Sequence, residues 1–197
     1  MSHPHVKPLD QGIILSIEEL SIAFGGIKAV DNLSFQIKEK EIFGLIGPNG
    51  AGKTTAFNCI TQFYVPNHGS IRFLSKKNET VELIDHKVHE IIGLGLVRTF
   101  QNVELIRELS ILDNVLIGAH IDYKTGLFNA MFKTKKNKKE EEAVKQQAMG
   151  VLEFVGIADK ALWPVGGQPY GILKKVELAR TLMCSPRLII VDEPAAG

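Results

Sequence analysis

The 197-residue chain is poor in several features that would each mark a class of protein. It has only two cysteines, Cys59 and Cys184, so neither a disulfide framework nor a cysteine-rich zinc site can be built, and a reducing compartment is compatible. Excess charge of one sign is also missing. Lys and Arg number 23 against 22 Asp and Glu, a formal net charge of +1, which gives no global reason to expect a nucleic-acid or acidic-lipid partner. No apolar run approaches the roughly 18 to 20 residues that cross a bilayer; residues 91–97 and 188–191 are short and end at Arg98 and Asp192. Residues 1–11 carry two His and two Pro but no apolar stretch, so they read as a frayed leader and not as a secretory signal. There is no internal repeat. What remains, 45% hydrophobic and 23% charged residues, is the balance of a soluble globular domain, or a core with one embedded subdomain.

Residues 13–24 and 33–37 mix alternating and apolar β-formers, with Gly25-Gly26 between them as a turn signal, and predict paired strands. Residues 38–41 (K-E-K-E) form a charged turn. Residues 42–46 (I-F-G-L-I) are a short apolar run of the kind buried on both faces in a parallel sheet. A glycine-rich loop follows, helix restarts at Lys53, and a turn and strand occupy residues 66–73. From about Gly93 to Gly167 the pattern turns helical. Val144, Ala148, Val151, Leu152 and Val155 recur on one helix face, with Gly156 placed to end it. The K-T-K-K-N-K-K run at residues 133–139 is a basic patch for phosphate or lipid, or more simply a solvated loop and helix start followed by Glu140, Glu141 and Glu142. Val176, Ala179, Leu182 and Met183 outline a last helix that Pro186 ends, and residues 188–191 form a second buried strand.

Two segments carry chemistry. Gly47, Pro48, Asn49, Gly50, Ala51, Gly52, Lys53 and Thr54 match G-x-x-x-x-G-K-[ST] after an apolar strand and at the start of a helix, where that motif must sit. Glycines let successive backbone N–H groups curl round a phosphate, and the helix N-terminus adds unpaired donors. Lys53 supplies a mobile charge for the β- and γ-phosphates, and the Thr54 hydroxyl can ligate Mg²⁺. In the second segment, R-L-I-I-V-D-E at residues 187–193, two carboxylates end a buried strand, the place where open α/β sheets put ligand chemistry. Asp192 would orient Mg²⁺ through its water shell and Glu193 would polarise the attacking water. Alone, both could equally be cap or turn residues; beside a phosphate loop the metal and base roles are the stronger reading.

Taken together, G-P-N-G-A-G-K-T-T (through Thr55), T-F-Q (Thr99, Phe100, Gln101), V-E-L-A-R at residues 176–180 and V-D-E-P-A-A-G at residues 191–197 resemble the ATP-binding subunit of an ABC transporter. I-K-A-V-D-N-L-S-F (27–35), G-L-V-R-T-F-Q-N-V (95–103) and P-Y-G (169–171) are similar to the ATPases of branched-chain amino-acid importers, which urea and related amide importers share closely. The resemblance implies an α/β P-loop NTPase fold: a RecA-like core with an antiparallel β portion and an inserted helical subdomain. Its expected divisions are a leader (1–11), a nucleotide-binding core (12–93), a helical subdomain opening on the Gln101 loop (94–167), and the signature segment, helix and final strand (168–197). It implies ATP and Mg²⁺ as cofactors, Phe24 stacking on adenine, and Gln101 touching Mg²⁺ and the lytic water. As a bare sequence feature Phe24 is more often a core residue. Implied partners are a second ATPase subunit, transmembrane permease subunits and, indirectly, an extracytoplasmic solute-binding protein, with no nucleic acid. The implied location is the cytoplasmic face of the cell membrane.

Where the family usually has L-S-G-G-Q, this chain has Gln168, Pro169, Tyr170, Gly171 and Ile172. Pro169 removes a hydroxyl that in the family reaches the partner's γ-phosphate, while Gly171 and the following helix start keep backbone donors. The match runs to Gly197, before the strand and switch histidine that the resemblance would place next. The expectation is therefore a C-terminally truncated ATPase, truncated after the Asp192 strand, which leaves hydrolysis by the chain alone open. The rival readings are a soluble ABC ATPase and a non-catalytic, nucleotide-sensing partner in an asymmetric heterodimer.

Overall fold

The computed structural model describes residues 6–99, 105–121 and 135–192. They fall into two compact units divided between Leu96 and Val97.

The first unit is built on an antiparallel sheet of β1 (Ile13–Phe24), β2 (Ile27–Lys38), β3 (His68–Leu74) and β4 (Thr80–Glu82), in the order β2-β1-β3-β4. Gly25 and Gly26 make the two-residue connection of β1 to β2 at φ 54° and 86°, the pair of positive φ angles that tight hairpins need and glycine supplies cheaply. The hairpin is longer than expected, with β2 beginning at Ile27 and not at Leu33. Register shifts in β1 after Ile17 break strict alternation, so Leu15, Ile17 and Leu20 are all buried, with Ile71 and Phe73 of β3. The leader is tied down where it is described. Buried Arg72 pairs with Glu18 across β1 and β3 and donates to the carbonyls of Lys7 (3.2 Å) and Pro8 (3.4 Å). The Leu9 N–H donates to Thr80 Oγ1. Helices α1 (Lys53–Ile60) and α2 (Val88–Leu94) complete the unit.

One expectation fails here. Residues 42–46 form no strand, and Ile42 and Ile46 are exposed. Among the described residues, β1 to β4 pair with one another and no ladder reaches this segment. An apolar run supplies side chains for two-sided burial, but without neighbouring strands its backbone groups have no ladder to join.

The second unit pairs β5 (Leu96–Arg98) with β6 (Leu188–Ile190) and packs α3 (Ile111–Ile117), α4 (Lys135–Phe154) and α5 (Tyr170–Met183) round one core. Leu112, Val115, Ala148, Leu152, Val176, Ala179 and Met183 lie in it, and Val144, Val151 and Val155 pack against it, the face that the helical periodicity predicts. Ser110 caps α3 by accepting from the Asp113 N–H at 3.0 Å. Asn114, fully buried, is satisfied by the backbone N–H and carbonyl of Ile106 and the carbonyl of Ser110. The lysines from Lys135 onward belong to α4 and not to a loop; lysine is a good helix former, and the helix anchored downstream extends through them.

The close approach of α3 and α5 is set at Gly118, where an added Cβ would run into the Arg180 carbonyl oxygen and stand 3.0 Å from Met183 Cβ. Gly118→Ala is expected to destabilise this unit by about 1–3 kcal/mol, read as a lower urea midpoint. An unchanged midpoint would contradict the packing.

Candidate functional site

The phosphate loop leaves residue 46 without regular structure and enters α1 at Lys53. Gly50 and Gly52 both stand at φ 82°, and a Cβ at Gly52 would collide with the Ala29 carbonyl oxygen, so the backbone here fits only glycine. No side chain caps the N-terminus of α1, which leaves first-turn donors to an outside acceptor. The Ala56 N–H returns to the Gly52 carbonyl at 2.8 Å and the Ala51 N–H to the Pro48 carbonyl at 3.2 Å, fixing the curl. Lys53 Nζ donates to the carbonyls of Gly47 (2.6 Å) and Pro48 (2.8 Å). Its ammonium is thus held over the loop, on a stem long enough to swing to a phosphate. Pro48, Asn49, Gly50, Ala51 and Thr54 are exposed, and Thr55 is half-buried. On the core side of α1, burial pushes the Cys59 thiol up to about 11, which disfavours the thiolate near neutral pH.

Phe24 is 47% exposed at the end of β1 and meets Tyr64 edge to face, with ring centroids 5.2 Å apart. The core reading of Phe24 is therefore not the one found. Tyr64, which sequence reasoning passed over, packs against the Phe24 ring; its only signal is an aromatic a few residues beyond α1.

In the second unit, Thr99 is buried and its N–H donates to the Ile190 carbonyl at 3.0 Å, locking the end of β5 to β6. Asp192, two residues beyond β6, is buried and paired with Arg98 at 2.6 Å. Arg98 was the other residue missed, although it lies within the G-L-V-R-T-F-Q-N-V segment. Phe100, Gln101 and Glu193 lie outside the described residues.

The signature segment opens α5. Pro169 is its N-cap, without a side-chain bond, and its carbonyl accepts from the Ile172 and Leu173 N–H groups. Tyr170 is exposed, with Lys174 Nζ 5.6 Å from its ring centroid. Among the described residues a Cβ at Gly171 would meet nothing within 4 Å, so their packing does not require glycine there.

The family model described as ABC transporter matches residues 30–196. The chain is 39% identical over 184 residues to the high-affinity branched-chain amino acid transport ATP-binding protein LivG of Salmonella typhimurium, covering 93% of this chain and 70% of that one. BraF of Pseudomonas aeruginosa, which carries the same description, is also 39% identical with the same coverage. Among solved structures, the ADP conformation of MJ1267, an ATP-binding cassette of an ABC transporter, superposes with a TM-score of 0.75 at 34% identity over 94% of this chain and 70% of that one. A nucleotide-free ATP-binding cassette from an ABC transporter gives 0.73 at 32% identity, with the same coverage. The chain belongs to the ABC transporter family, and its fold is that of the family's ATP-binding cassettes.

Proposed function

We propose that this chain is the ATP-binding, ATP-hydrolysing subunit of an importer of branched-chain amino acids. The observation that carries the reading is the phosphate loop, with Gly50 and Gly52 in the left-handed region, an uncapped helix start and a cationic Lys53 above it, in a chain 39% identical to LivG. The loop N–H groups and Lys53 hold the β- and γ-phosphates of ATP, and Phe24 offers its ring to adenine. Water attacks the γ-phosphorus, the bond to the β-phosphate oxygen breaks, and the Glu193 carboxylate takes the water's proton, giving ADP and phosphate. Thr54, Gln101 and Asp192 each offer the hard oxygen donor that suits Mg²⁺. Among the described residues no cluster of three or more His, Cys, Asp or Glu could hold a metal. Mg²⁺, when bound, offsets the charge developing on the transferred phosphoryl group.

This chain would in turn present Pro169, Tyr170, Gly171 and Ile172 to the ATP of a second ATPase subunit, identical or homologous, through backbone donors at Gly171. Among the described residues no helix is long and apolar enough to cross a membrane. We place the chain at the cytoplasmic face of the membrane, held by permease subunits through the Gln101 loop, with solute captured by a separate extracytoplasmic protein. Uptake assays on the assembled complex with leucine, isoleucine, valine and urea in competition test the solute assignment. Leucine, isoleucine and valine should drive uptake and compete with one another. Uptake of urea alone would move the chain to the amide importers.

A further inference from the structure

The resemblance gives Arg98 no role, yet Arg98 makes the most buried ion pair of the second unit among the described residues. Its Nη2 donates to Asp192 Oδ2 at 2.6 Å, and the two side chains are only 10% and 7% exposed. The pair is fixed by the backbone beneath it: Arg98 ends β5, and the next residue, Thr99, bonds to Ile190 of β6, two positions before Asp192. Both charges are therefore taken out of water on neighbouring strand ends, where their pairing offsets part of the cost of burial. A planar guanidinium presents several N–H donors to a carboxylate and is always charged. It satisfies the same demand that a divalent cation or its water shell would satisfy.

We propose that Arg98 is a positioning residue that serves as a built-in counter-cation to Asp192 and must release it, wholly or in part, when Mg²⁺ and nucleotide bind. The inference rests on the reading of Asp192 as the Mg²⁺ aspartate. Its consequence is a competition. Two cations that exclude one another on one carboxylate lower each other's apparent affinity by the fraction of time the rival holds the site. Arg98 thus raises the Mg²⁺ concentration needed for tight nucleotide binding and keeps Asp192 oriented in its absence. A residue that only braced Asp192 for the metal would do the opposite, since its removal would make Mg²⁺ bind less well. The sign of the effect separates the two roles.

The test is ADP binding by the whole chain, measured by calorimetry at graded Mg²⁺ concentrations. Arg98→Gln is expected to lower the half-saturating Mg²⁺ concentration about tenfold, the factor equivalent to ~1.4 kcal/mol of lost competition. Arg98→Lys, which keeps the charge, should stay near the parent. An unchanged or raised Mg²⁺ requirement in Arg98→Gln would overturn the proposal. Asp192→Asn serves as the control: if it leaves the Mg²⁺ dependence unaltered, the underlying reading of Asp192 fails and the inference with it. If Asp192→Asn raises the requirement while Arg98→Gln does not lower it, only the role of Arg98 fails. Should Arg98→Gln not fold, the parent chain decides. With ¹³C-labelled arginine and ADP present, the Arg98 guanidinium resonance, assigned from Arg98→Lys, should shift when Mg²⁺ is added, and a resonance that does not move would refute the release.

Discussion

The Lys53→Ala chain is expected to bind Mg-ATP about ten- to a hundredfold more weakly than the parent, because one charge-assisted contact to phosphate contributes about 1.5–3 kcal/mol. Hydrolysis by the assembled complex should fall further, by roughly 10²–10³, since the ammonium also meets charge that develops only in the transition state. The structure makes the variant informative. Lys53 bonds the Gly47 and Pro48 carbonyls, so its loss also loosens the loop, and the melting temperature must be measured beside the affinity. Lys53→Gln keeps N–H donors for the loop carbonyls but removes the charge, and so separates the two effects. A parent-like affinity in Lys53→Ala would mean that the loop does not hold phosphate.

The second large effect is at Glu193. Removing a general base costs typically 10²–10⁴ in rate. Glu193→Gln keeps shape and hydrogen bonding but cannot accept the water's proton. ATP binding should persist while hydrolysis by the assembled complex falls by that factor, and the ATP-bound pair of ATPase subunits should accumulate, visible by light scattering as the mass of a pair in place of single subunits. Unchanged hydrolysis would remove Glu193 from the base role and leave the chemistry to another group.

Local chemistry made much of this molecule legible. The two glycines at 25 and 26 announce a hairpin because almost nothing else tolerates consecutive positive φ. The phosphate loop is legible for the same reason, through the backbone at Gly52 that excludes a side chain. The face of α4 followed from spacing, since Ala148 and Leu152 recur every fourth residue and reach the core together. Residues 42–46 misled because hydrophobicity reports what a strand buries, not which strand it pairs with. That pairing is non-local and leaves no mark in five residues. Arg98 and Tyr64 were invisible for a related reason. Arg98 is 94 residues from Asp192, and Tyr64 reaches Phe24 from another element, so neither contact has a spacing to read. The family resemblance named the motif residues but not the groups that hold them.

The coupling of ATP to import is the central claim, and one measurement meets it directly. Membrane vesicles or proteoliposomes containing the complete importer, with Mg-ATP on the side of the ATPase subunits, are assayed for accumulation of labelled leucine, with this chain present as the parent or as Lys53→Ala. The account predicts ATP-dependent accumulation with the parent and none above the ATP-free background with the variant. Equal accumulation by the two, or uptake by the parent without ATP, would contradict it.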